Sequence, residues 1–259
     1  MKAAVMPRRR WLKRALSVAG GFTLSACDRL GQSDRMGSTL DLADGWTYFT
    51  QRLLLGRHAL AQEFSPKDIS PEVRANGTTN PDTEEYNRLA QSNFVDWRLA
   101  VGGLVQRPLS LSLAELRCIP ARIQITRHDC VEGWSYIGKW TGARLSALLA
   151  LAQVKPGAKY VVFYCADTLE LTLDGTGQYY ESIDLIDAMH PQTILAYEMN
   201  DKPLPVAHGA PLRLRVERQL GYKMAKYITR IDVVDSLSGL GRGKGGYWED
   251  RGYQWYAGI

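Results

Sequence analysis

Residues 127–134 read RHDCVEGW, and the six residues before them, 121–126, read ARIQIT. ARIQIT has the β-branched content of a strand and runs directly into the cysteine motif. On a strand, His128 and Cys130 share one face. Cys130 thus sits among Arg127, His128, two carboxylates (Asp129 and Glu132) and Trp134. Five fates are open to it: structural thiol, disulfide half, zinc ligand, nucleophile, or ligand for a rarer metal.

Outward from this motif, GARLSALLALAQV (142–154) has helical spacing, with Pro156-Gly157 as its predicted stop. AKYVVFYCAD (158–167) reads as a buried strand and ESIDLIDAMH (181–190) as a helix. TILAYEMN, PLRLRVE and AKYITRIDVVD read as further strands. Upstream, a body beginning near Asn93 opens with the strand-like DWRLAVGGLV, followed by a turn, a strand and a short helix in RPLSLSLAELRCIP. Strands with short interspersed helices and no regular βαβ repeat predict an α+β fold with a mixed sheet. Residues 93–259 are expected to form the main domain. Residues 46–92 are expected to form an amphipathic helix from Trp46 and a loop with a turn signal at Asn76-Gly77. The glycine-rich, aromatic tail from Ser238 lacks the strand–G-x-G-x-x-G–helix context of a dinucleotide site. It is expected to wrap the domain, with Tyr247, Trp248, Trp255 and Tyr256 as packing anchors.

The 259 residues are 45% hydrophobic and 23% charged, as in soluble globular proteins. The net charge of +5 is local: Lys2, Arg8, Arg9, Arg10, Lys13 and Arg14 precede the first acid, Asp28, and the remainder carries −1. The body therefore has no nucleic-acid footprint. Residues 1–26 read as an export signal, a basic region followed by a short apolar run. RRRWLK (8–13) resembles the twin-arginine signal, which exports proteins already folded around a cofactor. LSAC (24–27) resembles a lipoprotein box that would lipidate Cys27, with Asp28 favouring retention at the inner membrane. Residues 27–45 read as a tether. These features predict a periplasm-facing protein, tethered to the inner membrane through Cys27 and not spanning it.

With Cys27 lipidated, Cys118, Cys130 and Cys165 remain, an odd count in a compartment that favours disulfides. A zinc site is poorly supported: there is no C-x-x-C or H-E-x-x-H, and His58, His128, His190 and His208 include no close pair. A nucleophilic Cys130, activated by Arg127 or His128, remains possible. The chain has no haem-attachment or iron–sulfur cysteine pattern, so redox chemistry would need a separate electron partner.

RHDCVEGWSYIGKWTGARLSALL (127–149) resembles the molybdopterin-binding domain of the sulfite oxidase superfamily, especially its exported bacterial branch, which includes periplasmic methionine-sulfoxide reductases. The resemblance continues through YVVFYCAD (160–167), DAMHPQTILAYEMNDKPLPVAHGAPLRL (187–214) and GYKMAKYI (221–228), and spans about residues 93–235. It implies a sulfite-oxidase-type fold and a molybdenum-molybdopterin cofactor, with Cys130 as the metal's thiolate ligand and Arg127 favouring the charged thiol. It further implies a pterin-phosphate contact at Arg213 and cofactor contacts at Gly221, Tyr222 and Lys223. His208 stands where the reductase has an asparagine contact. Asn76, with Gly77, matches a contact from the N-terminal loop. Cys165 stands where the reductase has a threonine beside the metal, which would place it on the open site as a second catalytic residue. The implied activity is two-electron oxygen-atom transfer on an S- or N-oxide or an oxyanion. Electrons would be exchanged with a quinone-linked partner, a membrane cytochrome b or a soluble cytochrome. The alternative is a binding lipoprotein of the same fold without metal chemistry.

Overall fold

The computed structural model describes residues 45–53, 56, 58–173 and 176–259. The expected export signal, the expected lipidation of Cys27 and the expected tether up to residue 44 fall outside the described residues. The chain divides into two compact units, residues 1–54 and 55–259. Within the first, residues 45–53 are helical. Among the described residues, no helix is long and apolar enough to cross a membrane.

Within the second unit the described strands are β1 (Arg98–Gly103), β2 (Leu109–Ser112), β3 (Ala121–Asp129), β4 (Ser135–Arg144), β5 (Tyr160–Thr168), β6 (Gln178–Asp184), β7 (Ile194–Met199), β8 (Lys202–Pro203), β9 (Arg213–Arg215) and β10 (Ile228–Val234). The α-helices are α1 (Glu84–Gln91), α2 (Leu113–Arg117), α3 (Leu145–Ala152) and α4 (Leu185–Ala188). One sheet has the order β2-β1-β10-β5-β6; β1 and β10 are parallel and the other neighbours antiparallel. The second runs β3-β4-β7-β8, all antiparallel, with β9 added to β7. The fold is thus α+β with a mixed sheet, as the pattern of elements predicts.

Local chemistry explains most boundaries. The Thr83 side chain caps α1 by accepting from the Tyr86 N–H at 3.2 Å, and Glu84 and Glu85 favour its first turn. A Ser112–Glu115 capping box starts α2. In α3, Leu145, Leu148, Leu149 and Ala152 are buried at helical spacing. It stops earlier than the Pro156-Gly157 signal predicts, because Gln153 turns left-handed at φ 57°. β4 shifts register against β7 at Gly142, where any Cβ would lie 2.3 Å from the Leu195 carbonyl oxygen.

Two expectations change. The helix predicted over 181–190 is strand up to Asp184, and α4 has only four residues. Pairing with β5 and near-complete burial override the local helical pattern. The main unit also begins well before Asn93. The Phe64 N–H donates to the Ile125 carbonyl, the Ser70 N–H donates to the Ile137 carbonyl while the Ile137 N–H donates to Ser70 Oγ, and the Tyr86 hydroxyl donates to the Ala210 carbonyl at 2.6 Å. Residues 58–92 are built into the domain rather than preceding it.

Candidate active site

The inner face of β3 is polar. Gln124, Thr126 and His128 are buried while Ile123 is 60% exposed, the reverse of an ordinary half-buried strand. β3 ends at Asp129, and Cys130 opens a tight turn. Its N–H donates to the Trp134 carbonyl at 2.9 Å, and the Gly133 N–H donates to the Cys130 carbonyl at 3.0 Å. Trp134 Nε1 donates to Glu132 at 2.8 Å, and the Arg74 guanidinium lies 5.0 Å over the indole. Cys130, an unpaired thiol, faces a cleft. Burial pushes this thiol up, against hydrogen bonding from the Glu132 backbone and the charge of Arg74.

One wall of the cleft is aromatic, formed by Tyr179, Tyr222, Trp248 and Tyr253. Trp248 and Tyr253 stack at 5.2 Å, and Tyr222 meets Tyr253 edge-on at 5.2 Å. Its polar lining includes Asn76, Glu132, Asp167 and Lys226. Lys226 Nζ donates to the Asn76 carbonyl at 2.7 Å, the Ala207 carbonyl at 3.1 Å and the Thr78 carbonyl. It therefore pins the 76–78 loop beside the cleft. Burial, with Arg213, lowers Lys226 to about 7. Burial raises Asp167 to about 6, opposed by a hydrogen bond from Thr78 and by Lys226.

A second group of buried polar residues lies among β3, β4 and β9. Arg213 and Arg215 stand 5.1 and 4.3 Å from the Trp140 ring. Arg215 pairs with Glu217, which also accepts from Gln124 Nε2 at 2.8 Å. Arg213 Nη1 donates to the His208 carbonyl at 3.0 Å, but its Nε and Nη2 have no partner. The same is true of His208 Nδ1, His128 Nε2, Tyr136 Oη and Asn76 Oδ1. Burial holds His208 down to about 4, aided by Arg213 and Lys226, so its ring is neutral. Burial also lowers Arg213 to about 10, still a cation at neutral pH. Buried polar atoms nearly always find partners, so this concentration of unpaired polar atoms fits a polar guest. A guanidinium with two free nitrogens suits a phosphate. An unpaired thiol beside these donors completes a set suited to a molybdenum-pterin group.

The structure brings together Asn76, Gly77, Cys130, Gly221 and Tyr222 on the cleft, and Arg213 and His208 in the adjoining polar group. Three expected residues fall elsewhere. Arg127 points to the opposite face of β3 from Cys130 and pairs with Asp129 at 2.9 Å, so it does not act on the thiol. Cys165 is wholly buried in the apolar core and is not on the cleft wall. Asp167, two residues farther along the same face of β5, lines the cleft instead. Lys223 places its ammonium between Glu181 and Glu249, fully buried, and does not line the cleft. The tail does pack on the domain, but its Trp248 also forms part of the cleft. Asp167, Lys226, Trp248 and Tyr253 escape a reading of the motif because each reaches the cleft from a separate element. Only the YCAD and GYKMAK segments hinted at the first two.

Residues 86–239 match the family described as oxidoreductase molybdopterin binding domain. The chain is 36% identical over 251 residues to a putative protein-methionine-sulfoxide reductase subunit, YedZ1, of Azospira oryzae, covering 97% of this chain and 87% of that protein. It is 33% identical to the protein-methionine-sulfoxide reductase catalytic subunit MsrP of Campylobacter jejuni, covering 64% of this chain and 61% of that protein. The MsrP of Xanthomonas axonopodis pv. citri is 40% identical over 54% of this chain and 46% of that protein. The chain thus spans about half to three-fifths of the length of these two MsrP relatives. Among solved structures, the sulfane dehydrogenase SoxCD from Paracoccus pantotrophus aligns with a TM-score of 0.49 at 23% identity, over 70% of this chain and 46% of that one.

Proposed function

The chain belongs to the oxidoreductase molybdopterin-binding domain family, and on that premise we propose that it reduces a neutral sulfoxide of the kind carried by oxidised methionine. The observation that carries this reading is the cleft beside Cys130, which is aromatic on one wall and acidic on another. Its cation among the described lining residues, Lys226, has its ammonium engaged by three backbone carbonyls. An oxyanion such as sulfite would meet Glu132 and, above about pH 6, an ionised Asp167. A neutral sulfoxide avoids that repulsion, and its methyl group suits Tyr222, Trp248 and Met224.

In this reading Cys130 is the metal's protein ligand. Arg213 and His208 hold the pterin and its phosphate, with Asn76 and Gly77 contributing from the loop and Gly221 and Tyr222 from the backbone. When bound, the molybdenum-molybdopterin supplies two-electron oxygen-atom transfer. The net reaction takes a sulfoxide, two protons and two electrons to a thioether and water. Asp167, with Oδ1 unpartnered among the described residues, holds a proton at the cleft wall below about pH 6. The electrons come from a separate partner of the membrane cytochrome b or soluble cytochrome kind. The relatives' names, which describe subunits, support that arrangement. The basic N-terminus and the LSAC stretch support export to the periplasm and attachment at the inner membrane through Cys27.

Purified holoprotein with a reduced dye tests the reading against free and peptide-borne methionine sulfoxide, dimethyl sulfoxide and an N-oxide. Sulfite with an oxidised acceptor tests the reverse direction. Methionine sulfoxide is expected to exceed sulfite in kcat/KM by at least about tenfold. Faster turnover of sulfite would overturn the proposal. Molybdenum analysis of the same preparation checks the cofactor-free alternative.

A further inference from the structure

His128 is wholly buried on β3, two residues before Cys130 and on the same face of the strand. Arg215 Nη1 lies 2.9 Å from its Nδ1. A guanidinium only donates, so Nδ1 accepts and carries no proton. The single proton of the neutral ring is therefore on Nε2, which is buried and has no acceptor among the described residues. Arg215 is not free to turn away: its Nε donates to Glu217 at 2.8 Å, its Nη2 donates to the other oxygen, and Trp140 lies 4.3 Å from the guanidinium. Met224 Sδ, 3.2 Å from Nδ1, packs against the same edge of the ring. The imidazole is thus held in one orientation and one tautomer, with a committed donor left over.

The position of that donor follows from Gly221. A Cβ on Gly221 would stand 2.6 Å from both Nε2 and Cε1 of His128, and Gly221 lines the cleft with Cys130. The Nε2 edge therefore abuts the backbone that forms the cleft wall. Tyr136, whose ring is 5.0 Å from the imidazole, has an unpaired hydroxyl in the same neighbourhood. Buried donors without acceptors are rare, and several together mark a place where an acceptor belongs.

We propose that His128 is a cofactor-binding residue whose Nε2–H donates to an acceptor atom of the bound molybdopterin, with Arg215 and Glu217 as the positioning pair that fixes its tautomer. The proposal concerns the cofactor and stands whether or not the substrate is a sulfoxide. It also accounts for glycine at 221, since a side chain there would meet the ring.

The test uses nitrogen-labelled full-length protein, prepared as holoprotein in a cofactor-competent host and as apoprotein in a cofactor-deficient one. Long-range proton–nitrogen spectra are expected to show a neutral, Nε2-protonated His128 in both. The Nε2–H resonance should shift, and its exchange with solvent should slow, in the holoprotein. In parallel, molybdenum and released pterin are measured for two variants. His128→Leu is expected to retain on the order of tenfold less of both after dilution. His128→Gln, whose amide can donate, is expected to recover most of the loss. A proton on Nδ1, or an Nε2–H unchanged by the cofactor because water is its acceptor, would overturn the proposal. So would full retention of molybdenum and pterin by His128→Leu. The spectra are taken on the native chain, so they decide the matter even if the leucine variant fails to fold.

Discussion

The two sheets bury their inner faces to the same depth but with opposite chemistry. The first hides Leu99, Val101, Val161, Phe163, Ile231 and Val233, none more than 2% exposed. The second hides Gln124, Thr126, His128, Arg213 and Arg215 just as fully. Burying a large apolar side chain stabilises by roughly 1.5–3 kcal/mol, whereas each unpaired buried polar group costs about 1–3 kcal/mol. Thr126 Oγ1, His128 Nε2, Tyr136 Oη, Trp140 Nε1 and two Arg213 nitrogens are unpaired, and all belong to the second sheet. The first sheet's exceptions, Asp167 and Glu181, sit at the cleft and beside the buried Lys223. Both sheets feed the apolar core, the second through Ala143, Leu195 and Leu214, but the second also gives up stability for the capacity to bind. The binding free energy of the cofactor is correspondingly folding free energy for the second sheet.

The most severe way to break this contrast is at Cys130. Cys130→Ser is expected to cut dye-linked turnover by at least about a hundredfold and to lower molybdenum content. The denaturant midpoint of the apoprotein should hardly move, because the thiol supports no core packing. A midpoint collapse in the apoprotein would assign Cys130 a structural role instead. Lys223→Met should behave in the opposite way. Glu181 and Glu249 would be left buried without their cation, costing about 3–5 kcal/mol in urea unfolding. Burial works against the charge on Lys223, but the two carboxylates outweigh it and hold its pKa up. Adding Glu181→Gln to Lys223→Met should recover part of the loss, and no recovery would refute the ion-cluster account.

A smaller effect separates the cleft from both sheets. Asp167 is raised from 3.8 to about 6, so between those values the folded state keeps a proton that the unfolded chain has lost. Stability therefore falls as pH rises through that window. Lys226 is lowered from 10.5 to about 7, so between 7 and 10.5 the unfolded chain holds a proton that the folded state has shed. Stability there rises with pH. The apoprotein should pass through a minimum between about pH 6 and 7. Asp167→Asn should flatten the acid limb and Lys226→Met the basic one when unfolding curves are subtracted from wild type. An unchanged acid limb in Asp167→Asn would show that this carboxyl is ordinary in the folded protein.

The same contrast governs what the sequence discloses. Apolar alternation in DWRLAVGGLV and the run AKYVVFYCAD announce the first sheet, because hydrophobic burial is written in residue type. ARIQIT, TILAYEMN and PLRLRVE also read as strands of the second sheet, but residue type does not disclose that β3 and β9 bury polar side chains. The binding role of that sheet is implied instead by the resemblance carried by RHDCVEGW, GAPLRL and GYK. Motif matching places Cys130, Gly221 and Tyr222 on the cleft, because their backbone positions determine their place. The side chains of Arg127 and Lys223 are turned from the cleft by local partners, Asp129 for one and Glu181 with Glu249 for the other. Asp167 and Trp248 were illegible because they meet only after β5 and the tail converge.

Arg127 provides the mildest and most discriminating test. It adjoins His128 on the opposite face of β3, three positions before Cys130. Its side chain is 55% exposed, and its bond to Asp129 is an ion pair in contact with water. Such pairs contribute about 0–1 kcal/mol, and salt screens them. Arg127→Ala should therefore change unfolding free energy by no more than about 0.5 kcal/mol and leave molybdenum content and kcat at wild-type levels. The neighbouring His128→Leu should lose cofactor. If Arg127→Ala lost molybdenum as well, strand alternation would no longer explain which side chains of this motif reach the site. Its neutrality would show that on β3, facing rather than proximity in sequence decides which residues serve the cofactor.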